Sequence, residues 1–68
     1  MTSCDVNMKK VNEIRTAKGW KVVELANKAK VSVATLFALQ AGRRKASLVT
    51  VNRLANALQI PVDDIKEN

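Results

Sequence analysis

Sixty-eight residues make one domain with a thin core, since a chain this short buries only about 60% of the surface that it exposes when unfolded. A single cysteine and no histidine exclude an internal disulfide and leave no recognisable metal-ligand set, so packing must hold the fold and no metal or other cofactor is expected. The net charge of +6 is unevenly spread: residues 1–45 carry ten bases and three acids, and no acid stands between Glu24 and Asp63. Such a stretch attracts polyanions, nucleic acid first and an anionic membrane surface as the weaker alternative. The N-terminus has no signal-like apolar segment and no apolar run approaches a membrane span, so a cytoplasmic chain is expected. Residues 1–5 are expected to fray, with Cys4 as an inert thiol among them.

Glycine and proline are scarce enough to act as punctuation, and helices dominate the pattern. Met8, Val11, Ile14 and Ala17 recur at helical spacing between Asp5 or Asn7, either a possible N-cap, and Gly19, which predicts a first helix over about residues 6–18. Trp20 precedes Leu25 by five residues, the spacing of a hydrophobic staple if Lys21, a poor cap, starts a second helix over 22–29. Ser32 is a better cap, flanked by Val31 and Leu36 at the same spacing, for a third helix that runs to Ala41 and stops at Gly42. After the basic run Arg43-Arg44-Lys45, Ser47 caps a fourth helix whose Leu48, Val51, Leu54, Ala55 and Leu58 mark one face. Pro61 fits the first turn of a fifth, short helix, with Asp63 and Asp64 near its positive end and Val62 and Ile65 free to pack. No alternating strand pattern is present.

The stretch from Val22 to Leu39 carries the functional signal: two short helices flank a turn too tight for them to stack antiparallel, with Leu25, Ala29, Val31, Leu36 and Leu39 facing inward and Ala26 small at their closest approach. This arrangement resembles the Cro and phage-repressor (XRE-like) helix-turn-helix family. The resemblance extends from Ile14-Arg15 and Gly19-Trp20 through Glu24-Leu25-Ala26, Val31-Ser32, Thr35-Leu36, Gly42-Arg43 and Ser47-Leu48 to Leu54-Ala55, Leu58 and Ile65. It implies an all-α, compact five-helix, lambda-repressor-like domain over residues 1–68, in which helices 2 and 3 form the helix-turn-helix. The rival reading, a generic helical bundle with the same apolar spacing, does not account for a capped third helix followed by a basic loop with no acid nearby.

In proteins of this type the second helix crosses the DNA backbone and the third enters the major groove. That assigns residues 32–41 to recognition, with Val33, Ala34, Thr35, Phe37 and Ala38 at base edges and Lys21, Ser32, Arg43, Arg44 and Lys45 at phosphates. Ser32 caps its helix and can do so while meeting a phosphate; the loop arginines grip phosphates or enter a narrow minor groove. Most of these helix 3 residues are hydrocarbon, suited to thymine methyls and unable to make bidentate contacts to guanine or adenine. Phe37 has three readings: a thymine methyl, a neighbouring loop or a protein interface.

Four positions depart from the family pattern. Lys30 and Gln59 stand where the family often has glycine, and Val22 where it often has glutamine. Gln40 replaces a frequent glutamate that pairs with an arginine at the position of Arg15, so Arg15 either meets a neutral amide or lies exposed. The resulting expectation is a non-enzymatic transcriptional regulator, a repressor, that binds double-stranded DNA as a homodimer. The dimer face is expected near Ile60, Val62 and Ile65 unless these are core. The alternative keeps the fold as an antitoxin-like or phage regulatory module that meets a protein through its apolar third helix.

Overall fold

Three of the four described α-helices begin at a side chain that accepts from a first-turn N–H, and each helix is followed by a residue in left-handed geometry. The computed structural model describes residues 3–43 and 45–67. In chain order these form β1 (Ser3–Cys4), α1 (Met8–Ala17), α2 (Val22–Ala29), α3 (Val33–Gln40), β2 (Ala46–Ser47), α4 (Leu48–Leu58) and a single 3-10 turn (Val62–Asp64). Asn7 Oδ1 accepts the Lys10 N–H at 3.0 Å to start α1, and Gly19 at φ 75 ends it. Ser32 and Ser47 cap α3 and α4 by accepting from the Thr35 and Thr50 N–H groups.

The core is one continuous cluster. Val11 of α1, Leu25, Ala26 and Ala29 of α2, Leu36 and Leu39 of α3, and Val51, Leu54, Ala55 and Leu58 of α4 are buried together with Cys4, Ala46 and Ile65. Both α1 and α2 pack on α4, while α3 packs against α2. Thus α4 is the platform, and α3 sits on the platform's second layer with its far side open.

The structure corrects several expectations. The place of the fifth helix is taken by the 3-10 turn, so the chain has four α-helices among the described residues. The backbone beyond it is drawn to the N-terminal segment instead of continuing helically: Asn7 N–H donates to the Ile65 carbonyl at 2.7 Å, Glu67 N–H to the Asp5 carbonyl at 2.8 Å, and Val6 bridges Lys66. The N-terminus is therefore not frayed from residue 3 onward. β1 pairs antiparallel with β2, Ser3 opposite Ser47 and Cys4 opposite Ala46, and Cys4 is fully buried. These two-residue strands are too short to carry an alternating pattern. Because Val6 is held in its bridge, α1 starts at Met8 and Asn7, not Asp5, is the cap.

Leu48 does not belong to the buried face of α4. It is the first residue of the helix, where Ala46 already fills the core below, and its side chain remains 42% exposed. Of the residues offered for a dimer face, Ile65 is intramolecular core, and Ile60 and Val62 pack half-buried against the same cluster. No described helix is long and apolar enough to cross a membrane.

The buried thiol gives a direct test of the terminal pairing. Cys4 in the native protein is expected to react with a thiol reagent such as DTNB at least about 100-fold more slowly than in urea, because access requires opening of the β1–β2 pair. Labelling of the folded chain at the unfolded rate would contradict the paired terminus.

Candidate nucleic-acid interface

The turn between α2 and α3 is built from three residues. Lys30 adopts left-handed geometry (φ 59, ψ 40), Val31 N–H reaches back to the Ala26 carbonyl at 3.0 Å, and Ser32 returns to extended backbone before α3 begins. A residue with a Cβ pays roughly 1 kcal/mol for that conformation, and Gln59 repeats the device after α4. Buried Ala26 and Ala29 let the helices approach beneath the turn. At the other end of α2, Lys21 N–H donates to Glu24 Oε1 at 3.0 Å, half of a capping box, since a lysine side chain has no acceptor to return. Trp20 is half-buried against the core, with Lys18 and Lys28 ammonium groups 5.3 and 4.9 Å from its ring centroid.

The outward surface of α3 is apolar and short. Ala34 and Phe37 are exposed, Phe37 by 48%, while Val33, Thr35, Ala38 and Gln40 are half-buried and Leu36 and Leu39 are buried. Val33 leans on the core, so its freedom to meet a base is less than that of Ala34. The Ser32 hydroxyl is already engaged, accepting from Thr35 N–H and donating to Thr35 Oγ1 at 2.7 Å. The donors left at the helix start are therefore the Val33 and Ala34 N–H groups and the Thr35 O–H. Val22 is half-buried, and Val23 beside it is 49% exposed.

Gly42 at φ 71 ends α3, and the Arg43 N–H closes on the Ala38 carbonyl at 3.0 Å, which sends the loop away from the helix axis. Lys21, Arg43 and Lys45 are exposed; Arg44 lies outside the described residues. Lys45 Nζ stands 3.7 Å from Asp5 Oδ1, the one ion pair among the described residues. A cavity of about 420 Å³ opens beside it, and its walls set the acids Asp5 and Glu67 close to Arg43 and Lys45. The sequence reading missed this neutralising partner, because Asp5 and Lys45 are brought together only by the β1–β2 pairing.

Arg15 is neither exposed nor paired with Gln40. Its Nη1 donates to the Trp20 carbonyl and its Nε to Asn12 Oδ1 at 3.4 Å, while Gln40 Nε2 donates to the same Asn12 oxygen at 2.8 Å. Asn12, which no sequence signal singled out, joins the two groups whose direct contact was one of the two expectations.

Two short helices crossed at a left-handed turn, the second capped by serine and followed by a basic loop, define a helix-turn-helix unit. The chain belongs to the helix-turn-helix family, of the Cro and XRE-like type: the family model, Helix-turn-helix, matches residues 11–65. Among solved structures it is similar to the restriction-modification controller protein C.AhdI from Aeromonas hydrophila. The two are 32% identical with a TM-score of 0.76, and the match covers 82% of this chain and 85% of that one. It is also similar in fold to SinR, the master regulator for biofilm formation, solved in complex with DNA, at 23% identity, TM-score 0.75, and coverage of 81% and 89%. No curated protein matches the sequence.

The Asp5–Lys45 pair sets up a competition, because a phosphate approaching Lys45 must displace a carboxylate. Both groups are about half exposed, so the pair is weak. Asp5→Asn is expected to raise affinity for any DNA roughly 2- to 5-fold at low salt, with the gain fading as salt screens it. Unchanged affinity at low salt, measured by fluorescence anisotropy, would contradict a DNA-facing Lys45.

Proposed function

We propose that this chain is a transcriptional regulator, a repressor in the cytoplasm, that lays α3 in the major groove of double-stranded DNA and binds as a homodimer at two half-sites. The observation that carries the reading is the open far side of α3, a helix with no acidic residue of its own, with exposed cations at Lys21 before α2 and at Arg43 and Lys45 after α3. Lys21 at the start of α2 and Arg43 and Lys45 after α3 take backbone phosphates, with Arg44 between them in sequence. A further phosphate meets the α3 start, where Val33 and Ala34 N–H groups face it and the Ser32 hydroxyl can turn from Thr35. Ala34 and Phe37, supported by Val33 and Ala38, touch thymine methyls, and the Thr35 hydroxyl donates to a base or phosphate acceptor. C.AhdI, 32% identical over most of both chains, is a restriction-modification controller protein, which supports the same class of activity here, and SinR, solved in complex with DNA, shares the fold.

Such a surface reads few base edges, so affinity rests on phosphates and selectivity on methyl contacts and DNA shape. One unit makes too few contacts for tight selective binding, and a second copy on a pseudo-palindrome supplies the rest. A second reading, a protein-interaction module on the same fold, is favoured by the exposed Phe37 and Val23. The basic loop favours DNA.

Selection of sites from a random duplex pool, followed by thymine-to-uracil replacement, separates the two. Affinity is expected to fall at a few positions on loss of the methyls, and Ala34→Gly should reduce preference at those same positions. Arg43→Ala is expected to weaken all sequences alike and to lower the salt slope by about 0.9. A selected site insensitive to uracil and to Ala34→Gly, with Arg43→Ala unchanged in slope, would contradict the reading.

A further inference from the structure

The contacts that hold α3 are of two kinds. Leu36 and Leu39 are buried against the core, and apolar burial is non-directional, so these residues fix how deep the helix lies better than how it is rolled about its axis. The directional contact is at its C-terminal end, where Gln40 Nε2 donates to Asn12 Oδ1 at 2.8 Å across 28 residues of sequence. Among the described residues this is the one hydrogen bond between side chains of different α-helices. The same oxygen receives Arg15 Nε, and Arg15 Nη1 holds the carbonyl of Trp20, the residue just before the Lys21 cap of α2. One acceptor atom thus ties α1 to the end of α3 and, through Arg15, to the approach to α2. All three side chains, Asn12, Arg15 and Gln40, are half-buried, where an unpaired amide or guanidinium N–H is more costly than in open water.

We propose that Asn12 is the positioning residue of the recognition helix: its Oδ1 sets the roll of α3 and so decides which of Ala34, Phe37 and Ala38 meet the base edges. The inference rests on the DNA-binding reading and deepens it. The need for such an anchor follows from the chemistry of α3. A long arginine or glutamine adjusts its reach by changing rotamer, but a methyl group on the helix backbone cannot, and a displacement of about 0.5 Å is enough to loosen a site built on contact alone. Asn12 makes no DNA contact in this account and acts only through Gln40 and Arg15. Since both bonds use Oδ1 and neither uses the Asn12 amide nitrogen, a carboxylate at the same position preserves the geometry.

The test compares Asn12→Ala, Asn12→Asp and Gln40→Met in the intact chain. Two quantities are read: the ratio of affinities for the selected site and for random duplex, and the Gln40 side-chain amide resonances with the α1–α3 proton contacts by NMR. Asn12→Ala is expected to lower the ratio about tenfold, the scale of one lost base contact, and to shift the Gln40 resonances toward those of a free amide. Asn12→Asp is expected to keep the ratio and the Gln40 contacts while weakening both DNAs together, since it adds a negative charge. Gln40→Met cuts only the tie to α3 and leaves Arg15 on Asn12, so it should lower the ratio as Asn12→Ala does even if that variant folds poorly. An unchanged ratio in both Asn12→Ala and Gln40→Met overturns the proposal, as does a ratio lost in Asn12→Asp with the Gln40 contacts intact. A wild-type chain with no preference for any site overturns the DNA reading itself, a failure seen before any substitution is made.

Discussion

The surface this chain presents depends on one strained residue, Lys30, whose left-handed backbone turns α2 into α3 within three residues. Without that turn the two helices would either continue as one or fold back alongside each other, and in neither case would α3 keep a long side open. The conformation costs roughly 1 kcal/mol, which is small against the burial on either side of it. Leu25 and Leu36 are completely buried on the two helices that it joins, and each is worth about 1.5–3 kcal/mol. The turn is thus imposed by the core. Arg53 adds a contact from the platform by donating to the Lys30 carbonyl at 3.2 Å. The proposed recognition surface follows from this geometry, because burying Leu36 and Leu39 leaves Ala34 and Phe37 outward.

In the proposed complex, electrostatics and shape divide the work. The cations at Lys21, Arg43 and Lys45 are exposed and carry no base information, whereas α3 has no charged residue and nothing with which to grip a phosphate except its N-terminal N–H groups and hydroxyls. The charge balance is moderated where the termini close. Pairing of β1 with β2 and of Val6 with Lys66 brings Asp5 and Glu67 to the cavity beside the loop, so part of the net charge of +6 is offset near the proposed phosphate contacts. A domain of this size with no disulfide gains from that closure structurally as well, since it completes the core with Cys4 and Ile65.

What was legible in the sequence was whatever rests on local chemistry. Ser32 and Ser47 as caps, Gly19 and Gly42 as stops and the limits of α2 all depend on residues within a turn of one another, while Lys30 and Gln59, both left-handed, were marked only by the family's preference for glycine there. The apolar spacing likewise gave most of the core. Contacts made by chain closure were not legible. Two-residue strands have no period, so Cys4 looked terminal although it is buried, and the tail after Pro61 looked helical although its backbone is claimed by residues 5–7. Arg15 and Gln40 were identified as related, but the mediating Asn12 depends on how α1 lies against α3, which no spacing rule encodes. Within the candidate site, the residues of α3 were identified by position in the motif, while their unequal exposure, with Val33 drawn in and Phe37 left out, needed the packed structure.

The most direct test of the central claim is a titration of isotope-labelled protein with a duplex carrying its selected site, followed residue by residue through backbone amide shifts. Binding through the open side of α3 predicts the largest changes at Val33, Ala34, Thr35 and Phe37, with Lys21, Arg43 and Lys45 moving in step and Val51, Leu54 and Leu58 of the platform quiet. Large changes confined to α4, with the amides of α3 unmoved, would contradict the account.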